Sequence, residues 1–397
     1  MNLTTRSQLS AMMFLQYFVW GAWYVTLGTY LGANLKFSGV EIATVYGAGA
    51  IAAMISPFFV GLIADRFFAT ERVLGVMHLV GAVLMYLAST VTSFASFYPV
   101  LLGYTLCYMP TLALSNSVAF HQMKDPGTEF PTIRVFGTAG WILAGLIIGY
   151  LKIEAQAMPL QIAAGISVLL GLYSFTLPHT PPKDKGKQVT VRDVLGLDAV
   201  GLLKKPAFLV LFVASILICI PLMFYYTFTN NFLNETGFEN AAGKMTLGQF
   251  SELAFLLVMP LLFSRLGVKW MMLIGMLAWG LRYVLFAFGN PDALVWMYYG
   301  GIVLHGICYD FFFVTGQIYA DKRAPESLRS SVQGMMTFAT YGVGMFIGSL
   351  VSGPIVDAYK TGETSHNWEQ IWLIPAAFSV LVGIAFFLLF REEKEKA

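Results

Sequence analysis

Twelve apolar stretches of roughly membrane-spanning length divide this chain, and they constrain it more than any single motif does. A helix needs about 20 predominantly apolar residues to cross the hydrocarbon of a bilayer. Lipid offers the backbone no hydrogen-bond partners, so each stretch is read as a helix that satisfies its own. The stretches lie near 9–33, 40–64, 73–92, 97–121, 131–152, 157–178, 206–230, 244–264, 269–289, 294–320, 328–355 and 370–390. Composition agrees, with 57% of residues hydrophobic and 12% charged, where a soluble domain carries about a quarter charged. The expectation is an all-α membrane protein with twelve transmembrane helices. Arg6 precedes an apolar run to about Leu35 that exceeds a signal-peptide core, so the run is expected to stay as the first helix.

The longest non-membrane segment, Pro178 to Pro206, separates six spans from six. This predicts an N-terminal six-helix bundle over 1–178, a cytoplasmic linker over 179–205 and a C-terminal six-helix bundle over 206–397. Basic residues test the threading, because cytoplasmic loops hold the excess of Lys and Arg. With both termini cytoplasmic, 18 of the 24 basic residues fall inside and only Lys36, Lys152, Lys244 and Lys360 outside, leaving Arg134 and Arg282 within spans. The halves also echo one another. PFFVGLIADR from Pro57 ends span two and PLLFSRLGVK from Pro260 ends span eight. Span five carries Gly145 and Gly149, and span eleven Gly344 and Gly348, at the four-residue spacing that permits close helix approach. A parallel repeat of this kind places a binding site between the halves near mid-membrane.

Several function classes are disfavoured. The net charge of +2 gives no basic footprint for a nucleic acid. Cys107, Cys219 and Cys308 lie in apolar spans without metal or disulfide spacing, and the five histidines are scattered. There is no P-loop, HExxH or GxSxG motif, and no soluble segment large enough for a catalytic domain. An enzyme and an ATP-driven pump are therefore both unexpected.

The residues that do stand out are polar groups inside apolar runs. Gly301 to Arg323 is apolar enough to span, yet it contains His305, Tyr309 and Asp310. A charge in hydrocarbon is costly, so such residues usually face a bundle interior and serve a substrate or a proton. A plain packing cluster is the alternative. In span five, Arg134, Thr138 and Trp141 follow at i, i+4 and i+7 on one face. That donor–hydroxyl–aromatic stripe suits a polar ligand with a flat ring, whereas snorkelling to the headgroups is the simpler fate of an arginine one turn inside a span. Gln249 and Glu252 share a face of span eight, as an amide for hydrogen bonding to a ligand and a carboxylate for a proton, or else merely tie helices together. Glu252 and Asp310 are the acids placed well inside spans and the two candidates for proton coupling. Asn116, Tyr104 and Tyr108 in span four are weaker candidates, and Arg282 in span nine reads as structural or interfacial.

GLIADRFFATER, with Gly61, Asp65, Arg66 and Arg72, resembles the loop signature between helices two and three of the major facilitator superfamily. Within it, WGAW (Trp20–Trp23), YMPTLALSNS (Tyr108–Ser117), FPTIRVFGTAGW (Phe130–Trp141) and YDFFF (Tyr309–Phe313) resemble the nucleoside–proton symporters, as do TLGQFSE and the linker phrase LGLDA. The resemblance implies the major facilitator fold of two pseudo-symmetric halves. It also implies a nucleoside site built from Arg134, Thr138, Trp141, Gln249, Glu252, His305 and Tyr309. Trp141 stands where a phenylalanine is expected and His305 where a tyrosine is expected. Met223 and Tyr226 replace polar residues on helix seven. The expectation is a monomeric inner-membrane symporter in contact with lipid, taking up a nucleoside with a proton by alternating access and needing no other cofactor. The alternatives are a proton-coupled sugar or glycoside transporter and a non-transporting membrane sensor, the latter disfavoured because no signalling domain is present.

Overall fold

The computed structural model describes residues 1–66, 68–182, 197–325 and 328–391, with the backbone alone for 56–66, 126–128, 197–198 and 330. The described residues are almost wholly helical, apart from an isolated antiparallel bridge between Lys360 and His366. Eight stretches among them are long and apolar enough to cross a membrane. One of these, Ala241–Phe288, runs for 48 residues, about twice a span. It is folded at Gly267, whose φ of 72° and ψ of 172° only glycine tolerates without strain. The long stretch is therefore two helices, α8 (247–266) and α9 (268–288), close to the expected boundary.

The chain forms two compact units. The first comprises Met1–Phe37 and Thr44–Thr190, and the second Ser38–Ala43 and Val191–Ala397. The helices of the first unit are α1 (Leu3–Trp23, prolonged by a π-helical turn at Tyr30–Asn34), α2 (Gly39–Arg66, its opening residues 39–43 grouping with the second unit), α3 (Thr70–Ala88), α4 (Phe94–His121), α5 (Pro126–Leu151) and α6 (Met158–Ser174). Their ends follow local chemistry. The Asn2 side chain accepts from Thr5 N–H at 2.7 Å to cap α1, and Ser93 accepts from Ser96 N–H to cap α4. α1 packs on α5 and α6, and α3 on α4 and α6. Met12, Leu74, Val118, Ile133 and Leu170 interlock at the centre of one core cluster. The α1–α5 contact is backbone to backbone. A Cβ on Gly140 would collide with the Phe14 carbonyl oxygen, and one on Gly21 would lie 3.0 Å from Cα of Trp141. Small residues at this crossing set Trp141 against α1.

The second unit holds α7 (Pro206–Glu235), α8, α9, α10 (Val295–Arg323), α11 (329–358) and α12 (Trp368–Leu389). α9 packs on α12, α8 and α9 on α10, and α7 on α11 and α12. Gly344 and Gly348, singled out by their spacing, meet Cys219 and Met223 of α7 at would-be Cβ distances of 2.8 Å. Two helices are irregular where the side chains of interest lie. α10 is interrupted at Leu304 and becomes π-helical at Asp310–Val314, and α11 is π-helical at Phe338–Gly344. Single π-helical turns occur frequently at functional sites. At the end of α7, Glu235 accepts from His366 N–H at 2.7 Å and meets its Nδ1 at 2.8 Å. Asp357 accepts from Gly39 N–H and Val40 N–H at 2.6 and 2.9 Å.

Candidate functional site

In the first unit, α1 carries Tyr17, Trp20 and Tyr24 at spacings of three to four residues, which brings them to one side of the helix. The Trp20 ring meets Trp141 of α5 edge-on at 5.5 Å and Tyr108 of α4 at 5.9 Å. Tyr104 and Tyr108 stack at 5.7 Å. Arg134 does not stretch away from this wall, since its guanidinium carbon lies 3.9 Å from the centre of the Tyr17 ring. A cation over an aromatic face contributes about 0.5–2 kcal/mol, more when desolvated. Arg134, Thr138 and Trp141 are each half-buried. The donor, hydroxyl and indole thus remain partly open beside a wall of packed rings.

Behind the wall lies a satisfied polar network. Tyr108 OH donates to the Gln16 carbonyl at 2.6 Å, and Gln16 Nε2 donates to Thr111 Oγ1 at 2.7 Å. Gln16 Oε1 lies 2.8 Å from His78 Nε2, so the imidazole donates there. Tyr108 is therefore committed to packing, as are Gln16 and His78, which the sequence reading passed over. Asn116 is half-buried, and its enclosed Oδ1 has no hydrogen-bond partner among the described residues.

In the second unit, polar groups gather where α8, α9 and α10 meet. His305 is buried, its ring stacked on Tyr225 at 5.3 Å and inclined to Tyr309 at 5.9 Å. Its Nε2 lies 3.8 Å from Glu252 Oε2 of α8. Gln249, half-buried, is one turn earlier on that helix. Tyr226 reaches the His305 ring at 6.4 Å, edge-on, while Tyr225, which was not singled out, takes the stacking position. Tyr309 OH and Tyr341 OH of α11 share a hydrogen bond of 2.6 Å. Asp310 begins the π-helical turn, fully buried, and neither carboxylate oxygen has a hydrogen-bond partner among the described residues. Gly306 N–H donates to Ser251 Oγ at 3.2 Å, and the Ser251 hydroxyl donates to the Val303 carbonyl. This clamp joins α8 to α10 next to His305 and Glu252.

Arg282 is the group local sequence patterns undervalued. It is fully buried, bonded to Gly301 and Ile302 carbonyls and to His305, with its guanidinium carbon 3.6 Å from the Tyr225 ring centre. Its only sequence signal is an arginine in an apolar run; the partners come from α7 and α10. Of the loop signature, Arg72 is exposed in the first turn of α3. The side chains of Gly61, Asp65 and Arg66 lie outside the described residues, as do linker residues 183–196 with the start of LGLDA.

Helices of spanning length that enclose an arginine, a histidine and an aspartate, with Glu252 beside them, point to a polytopic membrane protein with a polar task inside its spans. The chain belongs to the nucleoside H+ symporter family, whose model matches residues 1–395. It is 44% identical to YegT of Escherichia coli (strain K12), provisionally named a nucleoside transporter, over 98% of this chain and 95% of that protein. It is 35% identical to the xanthosine permease of the same organism, over 97% and 95%. Its structure superposes on the crystal structure of the nucleoside transporter NupG with a TM-score of 0.90 at 33% identity, covering 99% of this chain and all of that one. The fold is that of the major facilitator superfamily, and the family's activity is proton-coupled nucleoside transport.

Proposed function

We propose that this protein imports a nucleoside with a proton across the inner membrane by alternating access, with Asp310 as the proton-carrying group. The observation that carries the assignment is a fully buried carboxyl whose two oxygens have no hydrogen-bond partner among the described residues. An ionised group in that position has nothing to offset its desolvation, whereas a proton removes the penalty. Glu252 differs, being about a quarter exposed and placed against His305. Protonation drives transport only through its different effect on the two facing states. A neutral Asp310 fits the enclosed arrangement seen here, and an ionised one favours a state that admits water to it.

The nucleoside contacts proposed are Arg134, Thr138, Trp141 and Asn116 from the first unit and Gln249, Glu252, His305, Tyr309 and Tyr226 from the second. Arginine, amide and carboxylate groups supply donors and acceptors for ribose and base, and the rings offer flat apolar surface. The reading includes a monomer in lipid with both termini cytoplasmic and no group beyond the coupling proton. Calorimetric titration of the detergent-purified protein with a nucleoside and sugar panel tests the site. Nucleosides bind and free sugars do not, and Arg134→Ala and Gln249→Ala each weaken binding about 10-fold, the value of one hydrogen bond to a charged or desolvated group. Wild-type affinity in both variants, with normal folding, moves the site elsewhere.

A further inference from the structure

Arg282 and His305 form a device that none of the proposed contacts explains. A guanidinium has donors and no acceptor. Arg282 Nε donates to the Gly301 carbonyl at 2.7 Å and Nη2 to the Ile302 carbonyl at 3.4 Å. Both carbonyls lie immediately before the interruption of α10 at Leu304, where a helix leaves acceptors without intrahelical partners. The third contact, Nη1 to His305 Nδ1 at 3.3 Å, makes Nδ1 an acceptor, because Arg282 can only donate. A doubly protonated ring would turn an N–H against a guanidinium N–H. His305 is thereby held neutral, with its proton on Nε2, the nitrogen 3.8 Å from Glu252 Oε2.

The other groups facing the ring are Tyr225 and Tyr226 from α7 and Tyr309 from its own helix. They meet it through their faces and edges. The spacing to Glu252 is set by small residues: a Cβ on Gly248 would come within 3.1 Å of His305 Cβ, and one on Gly306 within 2.6 Å of Ser251.

We propose that Arg282 and His305 are a positioning pair: Arg282 fixes the Nε2–H tautomer, and His305 directs that N–H at Glu252. The carboxylate is thereby oriented as an acceptor for a nucleoside hydroxyl or base N–H. The pair makes α9, which contributes no proposed substrate contact, part of the specificity of the site. This rests on the reading of Glu252 as a nucleoside contact.

The test combines nitrogen NMR with uridine binding. In protein carrying [15N]histidine, the His305 signals are those lost in His305→Gln. They show an unprotonated Nδ1 and a protonated Nε2, and Glu252→Gln leaves that pattern intact because Arg282 sets it. His305→Gln, which keeps an acceptor and a donor, retains uridine affinity within about 3-fold, whereas His305→Phe loses about 10-fold or more. In a Glu252→Ala background, which removes the acceptor, His305→Phe costs clearly less than in the parent, because the part of its effect that runs through the carboxylate is gone, and an equal loss in both backgrounds overturns the proposal. A proton on Nδ1 or on both nitrogens of the parent overturns the proposal, as do equal losses for His305→Gln and His305→Phe. Parental uridine affinity in Glu252→Ala overturns the reading of Glu252 as a contact, and with it the purpose of the pair, whereas the nitrogen spectrum alone judges the tautomer.

Discussion

Two arginines sit inside apolar helices of this protein and are used in opposite ways. Arg282 is fully enclosed and spends its donors on two carbonyls and an imidazole. Arg134 is half-buried and lies over a tyrosine ring, so part of its planar fork remains available. Arg134→Lys keeps the charge and loses the planar stacking and paired donors. It therefore weakens nucleoside binding by about 3–10-fold in calorimetry, and unchanged affinity contradicts the geometry proposed for it. The difference was only half visible in sequence. Thr138 and Trp141 continue the Arg134 face at helical spacing and marked it out. Arg282 draws its partners from other helices, Gly301 and His305 from the one that follows and Tyr225 from α7, and the periodicity within a single helix says nothing of them. The same reason hid Tyr225 behind its neighbour Tyr226, because adjacent residues differ by about 100° and only packing decides which one stacks.

At the scale of helices, hydrophobic length located the long elements to within several residues, because spanning length is a physical requirement that composition must meet. Irregularities within helices were another matter. The interruption at Leu304 and the π-helical turns at Asp310–Val314 and Phe338–Gly344 contain no proline. The interruption at Leu304 is flanked by partners from other helices, the Arg282 donors on one side and the Ser251 clamp on the other. The turn between α8 and α9 is the exception, since it depends on one residue. Gly267→Ala forces a side chain into a conformation that only glycine adopts freely, at about 1–3 kcal/mol. Thermal unfolding in detergent then shows a midpoint several degrees lower, and an unaltered midpoint contradicts a rigid turn there.

For the whole molecule, the asymmetry of 18 basic residues against four supports the proposed orientation with both termini cytoplasmic, and labelling decides it. A cysteine placed at Lys360 reacts with an impermeant reagent in intact cells and one at Lys322 does not; the reverse pattern inverts the topology. Transport itself is tested most directly by nucleoside uptake into proteoliposomes with an imposed pH gradient, acid outside. The parent accumulates labelled nucleoside above its external concentration, and a protonophore abolishes the accumulation. Asp310→Asn, which imitates the permanently protonated group, still binds and exchanges nucleoside but does not concentrate it. Accumulation that ignores the gradient, or uphill uptake by Asp310→Asn equal to the parent's, contradicts the assignment of Asp310 as the proton carrier.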